Sequence, residues 1–514
     1  MSLAKIRQLV GLLVVLSLLL ALLGCRREVV IPPAPTALEQ AQPSPTTGSR
    51  SAQSSHGVIV KATPMGTATP SVPPSPTPTR EPPETTATEY IVQPGDTLLR
   101  IAAAYGTTTE SLLAINGLED ADQLTVGQVL KVTMVAAHIG PSEILLPDSE
   151  LVYGPGYVDF DVATAVVETS GYFADHSEVV NGKEMTGPQI VQLVATEYSI
   201  GPRVLLALLE LRGGWLSNAK PTADQVAYPL GYQKGLYWEG LYPQLCQAAN
   251  ALNGGFYGWW YDTSWLVQTS DGVFIQYASE LNAATAALQK AVADTARDYE
   301  AWLADLAAFR RIYRDLFGDP FDHAVDPLLP PYVGSPDLVL PWAEDETWYY
   351  TGGPHPGWGT VGAYSALDFV SDEEHIGCMT SRRWVTAAAP GLIAVSEDGM
   401  VLQDLDGDGD VMTGWVIMYM HMAAQGRVEA GEWVETGDRI GHPSCEGGVS
   451  NASHLHLARR LNGVWLATDD VRWPMVLSGW VPSAGDRAYE GTLARQGTVL
   501  TACECWADIN AVAH

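Results

Sequence analysis

The 514-residue sequence predicts a multidomain protein: a small βααβ module, a mainly α-helical middle domain and an all-β carboxy-terminal domain. Three observations carry that prediction. Large apolar residues, 16 Trp and 21 Tyr among the aromatic ones, fill most of the chain but nearly vanish between residues 26 and 88. Apolar positions recur at helical spacing over residues 186–211 and again over 278–317. Beyond Pro331, short strand-like runs alternate with Gly, Asp and Pro turns. With 59 acidic against 28 basic residues the net charge is −31, which excludes nucleic-acid binding driven by phosphate neutralisation.

At the amino end, Lys5 and Arg7 precede an apolar run from Leu9 to Leu23, too short for a comfortable membrane span but suited to a secretory signal. The run closes on Leu22-Leu23-Gly24-Cys25, which resembles the lipobox of bacterial lipoproteins. That resemblance implies a signal peptide over 1–25 and lipidation at Cys25. It also implies an exported protein, held by lipid at the outer face of the cytoplasmic membrane or at the outer membrane. The plainer alternative is a signal anchor or an ordinary cleavage site. Residues 26–88 are rich in Pro, Thr and Ser, including Pro73-Pro74-Ser75-Pro76-Thr77-Pro78. Such a segment buries no core and acts as a semi-extended tether that can span on the order of 150–200 Å.

Residues 89–134 read as strand, helix, helix, strand. Tyr90-Ile91-Val92 opens the unit, Gly95-Asp96-Thr97-Leu98 supplies a turn and helix cap, and Leu98, Ile101, Ala102 and Tyr105 fall on one helical face. Leu112 to Asn116 and Leu124 to Val132 complete the pattern, which resembles a LysM domain over its full length. The resemblance implies binding of N-acetylglucosamine glycans of peptidoglycan, with Asp96, Thr97, Leu98 and Asn116 at the binding positions.

Residues 140–325 form the predicted helical domain. Leu205-Leu206-Ala207-Leu208-Leu209-Glu210 and Leu281-Asn282-Ala283 resemble segments of lysozyme-like transglycosylases. By that resemblance Glu210 would protonate a glycosidic oxygen. The competing reading makes Glu210 a helix-capping or surface residue. The aromatic run Phe256 to Tyr261 can stack sugars or fill a core.

The chemistry concentrates in residues 330–480. Zinc hydrolysis needs three protein ligands, an open position for water and a proton acceptor. His454-Leu455-His456 puts two imidazoles on one face of a strand, because side chains alternate with period two. Val416 to Met420 is a second strand, followed by His421, while Gly352-Gly353-Pro354-His355 and Ala366-Leu367-Asp368-Phe369 add a His and a carboxylate. Together these resemble lysostaphin/LytM-type metallopeptidases. The resemblance implies zinc held by His355, Asp368 and His456, catalytic assistance from His421 and His454, and endopeptidase action on peptidoglycan stems or cross-bridges. The first motif departs from the family in its spacing, with His355 thirteen residues before Asp368. His355 is preferred over the rival His375 because its surroundings read as a lengthened version of the motif. His442 reads as structural. A second reading of the whole chain is a non-catalytic, wall-binding lipoprotein that activates a separate amidase.

Asp404, Asp406 and Asp408 alternate as in a calcium loop, but Trp415 at the twelfth position excludes an EF-hand and leaves an acidic hairpin turn as the equal alternative. Besides Cys25 there are five cysteines, so at least one stays unpaired or bonds another chain. Cys378 with Cys445 is the expected pair around the cleft, whereas Cys503 and Cys505 stand too close for an easy mutual disulfide. Residues 481–514 are expected to be a tail.

Overall fold

A computed structural model describes residues 86–514, apart from 94–95, 99–100, 103–104, 106, 108, 119, 121–123, 135, 234, 236 and 374–376. The expected signal peptide, Cys25, the tether up to residue 85 and the rival ligand His375 lie outside the described residues.

In the amino-terminal module β1 (Thr86–Ile91) pairs antiparallel with β2 (Val129–Met134), and α1 (Thr109–Asn116) packs against them. The first strand starts inside the stretch expected to be tether, since Thr86, Ala87 and Thr88 pair with Met134, Thr133 and Val132. Val92, Leu98, Ile101, Ala102, Leu112, Leu130 and Val132 make its core.

The middle region is built on α2 (Gly187–Tyr198), α3 (Pro202–Gly213), α4 (Leu241–Trp260), α5 (Ala283–Thr295) and α6 (Tyr299–Phe317). Local chemistry sets their ends. Thr186 and Gln189 form a capping box before α2, and Ser199 at φ 56° followed by Gly201-Pro202 separates α2 from α3. Asn282 and Asp298 cap α5 and α6 through their side chains. A buried ion pair ties the helices together: Arg203 Nε and Nη2 reach Glu150 at 2.7 and 2.8 Å, and the hydroxyls of Tyr157 and Tyr313 also donate to that carboxylate. With both charges paired and hydrogen-bonded, the cost of burying them is offset.

The carboxy-terminal region carries β3 (Trp348–His355), β4 (Ala366–Val370), β5 (Gly391–Glu397), β6 (Met400–Asp404), β7 (Trp415–Met420), β8 (Trp433–Val434), β9 (Leu455–Leu461) and β10 (Val464–Trp465). Then come β11 (Val481–Ala484), β12 (Gly491–Arg495), β13 (Thr498–Thr501) and β14 (Ala511–Val512). The main sheet runs β8-β5-β6-β7-β9-β4-β3-β14, with β10 paired to β9. Every residue of β7 and β9 is buried, so both faces of the sheet are covered. Leu455, Leu457, Ile417 and Tyr419 face a core internal to the β region, whereas Met400, Leu402, Val416, Met418, Leu461 and Trp465 belong to the same core as the helices.

Two expectations change here. Residues 481–514 are not a tail: β11, β12 and β13 form their own sheet, and β14 joins the edge of the main one beside β3. Strand signals there are short, but Leu493, Leu500 and Val512 bury. Cys503 and Cys505 do form a disulfide. The Cys505 amide donates to the Cys503 carbonyl at 2.7 Å, a three-residue turn that sets the Cα atoms 5.2 Å apart. Cys378 pairs with Cys445, and Cys246 is free and buried.

Candidate metal centre

Three neighbouring strands of the main sheet build this centre. His456 on β9 lies opposite Asp368 on β4, and Asp368 lies opposite Gly352 on β3, three residues before His355 at the end of that strand. Gly352 has a steric reason: a Cβ there would come within 2.6 Å of an Asp368 carboxylate oxygen. His421 follows the last residue of β7 with φ 67°, a left-handed turn pinned by Ser444, whose amide and hydroxyl donate to the His421 carbonyl at 2.7 and 2.9 Å. His454 immediately precedes β9.

The donor atoms converge. His355 Nε2 lies 2.9 Å from His456 Nδ1, His456 Nδ1 lies 3.1 Å from Asp368 Oδ1, and His355 Nε2 lies 3.3 Å from the same oxygen. Each ring's other nitrogen is committed to a backbone carbonyl. His355 Nδ1 donates to Gly353 O at 2.7 Å and His456 Nε2 to Gly357 O at 3.0 Å. The two nitrogens that face each other therefore carry lone pairs, with a carboxylate oxygen beside them. Three acceptors packed this closely repel unless a proton or a cation sits among them. Their separations match the edge of about 3.3 Å expected between ligands 2.0–2.1 Å from a tetrahedral zinc. The donor set, two imidazoles and one carboxylate, suits that ion.

His454 Nδ1 donates to Ala452 O at 2.8 Å and His421 Nδ1 to Glu446 O at 3.1 Å, which leaves the Nε2 of each free to accept a proton. The two rings lie 4.4 Å apart, and His454 Nε2 is 3.7 Å from Asp368 Oδ1. Burial, then the neighbouring His454 and His456, push His421 down to about 3, so it is neutral at physiological pH. Burial raises the Asp368 carboxyl, but His355 and His454 more than reverse this and hold it well below the usual carboxylate range. Burial lowers His355, and the Asp368 charge overcomes it to leave the group raised. In His456 burial prevails and the group is lowered.

Sequence reasoning missed Tyr489, which it assigned to the tail. Its ring stacks on His355 with centroids 4.2 Å apart, and its carbonyl accepts from the Gly353 amide at 2.7 Å. A tyrosine in a turn carries no periodic signal, and its role depends on the fold of the last thirty residues.

Other expected sites come apart. Leu98 is a core residue, 1% exposed, and Asn116, half-buried, bridges α1 to β2 by bonding Leu112 O, Lys131 O and Lys131 N. Asp96 accepts from the Tyr90 hydroxyl and the Gln93 amide, which commits it to the turn, while Thr97 is exposed. Glu210 accepts from the amides of Leu216 and Ser217 and from the Ser217 hydroxyl, so it closes the turn after α3 rather than standing as an acid in a cleft. Asn282 caps α5, and Tyr257 and Tyr261 accept from the amides of Trp465 and Ala467, the structural rather than the sugar-stacking reading. His442 donates to Arg383 O and packs its ring, tilted, against Trp384. Asp404, Asp406 and Asp408 do cluster, but the amides of Asp406 and Gly409 already occupy the Asp404 oxygens. That is the bonding of a hairpin turn, and the calcium expectation gains no support.

Residues 90–133 match the family model of the LysM domain, and residues 144–329 match that of the LasA N-terminal domain. The chain is 34% identical over 116 residues to the N-acetylmuramoyl-L-alanine amidase XlyA of Bacillus subtilis (strain 168), covering 22% of this chain and 39% of that protein. It is 52% identical over 48 residues to the probable endopeptidase p60 of Listeria seeligeri, 9% of each chain. The chain thus spans well under half the length of these curated relatives. Among solved structures it is similar to pseudoalterin, described as an M23 metalloprotease from the deep sea, at 24% identity, with a TM-score of 0.28 over 35% of this chain and 100% of that one.

Proposed function

We propose that this protein is a zinc-dependent peptidoglycan endopeptidase, carried to the wall by its LysM module. The observation that carries this reading is the convergence of two imidazole nitrogens and a buried carboxylate within 2.9–3.3 Å, with the imidazoles of His421 and His454 beside them. Zinc held by His355, Asp368 and His456 would supply the Lewis acidity that polarises a scissile carbonyl. The chain's own residues do the rest. The Nε2 of His454 or His421 takes the proton of the attacking water and returns it to the leaving amine, and the backbone carbonyls of Ala452 and Glu446 hold each ring in the tautomer this requires. Tyr489 keeps the His355 ring in plane. The wall as substrate is supported by the LysM match and by the names of the curated relatives. Retention of the full donor set favours an enzyme over a non-catalytic amidase activator.

Cys25 is the proposed lipid anchor, exposing the protein on the outer side of a membrane. Among the described residues no helix is long and apolar enough to cross one. Labelled fatty acid should enter the wild type and not Cys25→Ser. For the active centre, purified protein should contain one zinc and release peptide fragments from isolated peptidoglycan, read by mass spectrometry. His456→Ala should lose both metal and activity, whereas His454→Ala should keep the metal and lose turnover by about 10²-fold or more. Equal zinc loss in both variants would refute the division of roles, and metal-free, inactive wild type would refute the enzyme.

A further inference from the structure

The lengthened spacing between His355 and Asp368 places a loop, residues 356–362, between the metal centre and the helices. Its near end touches the centre: Gly357 O accepts the Nε2 proton of His456 at 3.0 Å and so fixes which nitrogen of that ring faces His355 and Asp368. Its far end rests on α4. Asn250 Oδ1 accepts from the Thr360 amide at 2.9 Å and from the Thr360 hydroxyl at 3.3 Å. One turn on, Gly254 faces Val361, and Tyr257 faces Gly362. Asn250, Gly254, Tyr257 and Tyr261 recur at the spacing of one helical face, and this face continues onto Trp465 and Ala467. Gly359 lies against Asn250 with φ 75°, and a Cβ there would sit 2.4 Å from Asn250 Oδ1 and 2.8 Å from Tyr198 Cε1. The loop is therefore seated so closely that only glycine fits at its tip. Trp358, next to that tip, meets Tyr198 edge to face with centroids 6.3 Å apart.

We propose that Asn250, a residue of the helical region, is a positioning residue for the metal centre: it latches the 356–362 loop, whose Gly357 carbonyl orients His456. A hydrogen-bond partner behind a ligand fixes both its tautomer and its direction, and losing such a partner typically weakens metal binding about 10–100-fold. Asn250 acts one step further back, through the loop, so the lower end of that range applies. The inference rests on the zinc reading above, and the experiment separates the two.

Full-length wild type, Asn250→Leu, Asn250→Asp, Gly359→Ala and Tyr261→Phe are compared by zinc affinity in chelator competition and by the visible spectrum of the cobalt-substituted protein. Asn250→Leu removes the acceptor at similar size and should weaken zinc about tenfold and alter the cobalt bands. Asn250→Asp keeps the acceptor and should stay near wild type. Gly359→Ala disrupts the same seat from the loop side, should reproduce the Asn250→Leu change, and should add little to it in the double variant. Tyr261→Phe loosens the same helix–sheet interface away from the loop and should leave affinity and spectrum unchanged. Wild-type affinity and spectrum in both Asn250→Leu and Gly359→Ala would overturn the latch, as would an equal change in Tyr261→Phe. Wild type without stoichiometric zinc would instead remove the zinc reading, and the latch with it.

Discussion

Glu197 shows how much a single buried side chain can set. It is 5% exposed on α2, and its Oε2 accepts from the Tyr242 hydroxyl at 3.1 Å. Burial, with Asp398 and Glu397 adding to it and the Tyr242 bond opposing it, lifts the carboxyl to about 8. In the unfolded chain the group ionises near its ordinary 4.5, so between that pH and about 8 the folded state holds a proton that the unfolded state has lost. Stability therefore falls as pH rises through this window, by on the order of 4 kcal/mol at its upper end. Glu197→Gln keeps the shape and the Tyr242 bond without an ionisable group. The variant should melt several degrees above wild type at pH 8, and the difference should vanish near pH 4. A constant difference across that range in calorimetric scans would show that Glu197 is ionised in the folded protein.

At the scale of the element, the loops around the centre matter as much as the strands. The Cys378–Cys445 disulfide closes 67 residues of chain and joins two of those loops. One precedes Glu446, whose carbonyl holds His421, and the other supplies Gly377 O and Met379 O, which accept from Ser453 beside His454. Cys378→Ser with Cys445→Ser should cost up to about 4 kcal/mol from loop entropy. It should also lower kcat well before zinc content, because the rings it steadies are His421 and His454. Unchanged turnover in the double variant would dissociate the disulfide from the site. The strands were the legible part: alternation placed Leu455 and Leu457 in the β core, with His454 and His456 on the other side, both near Asp368. The loops and turns were not. Leu98 and Asn116 fit a glycan-binding pattern and yet fill a core and a strand tie, because the residues that define such a module are mostly the ones that fold it. Glu210 fails for the same reason, since a carboxylate at the end of an apolar helix can serve a turn as well as a cleft.

For the whole molecule, the decisive feature is the hydrophobic surface shared by helices and sheet. Met400, Leu402, Val416, Met418, Leu461 and Trp465 pack in one core with residues of α2, α3, α4 and α5. Arg460 reaches across to Thr196 O at 3.0 Å, and Ser199 to Gly463 O at 2.6 Å. Periodicity marks a buried face but not its partner, so the sequence divided at about residue 330 what the fold unites. Within the connection Tyr332 is 97% exposed, while Val333 O and Gly334 O accept from the indoles of Trp473 and Trp415. A protease that cuts after aromatic residues should nick at Tyr332, since exposed loop positions are preferred sites of cleavage. After such a cut the helical and β fragments should remain together through gel filtration and separate only in denaturant. Burial of a shared core, rather than the covalent link, holds them. Fragments that part in plain buffer at micromolar concentration would mean that the interface contributes little stability and that the β region folds without the helices. Where the fragments stay together, the metal content of the nicked complex should match that of the intact chain, because the cut leaves α4 and the loop from Gly357 to Gly362 in contact.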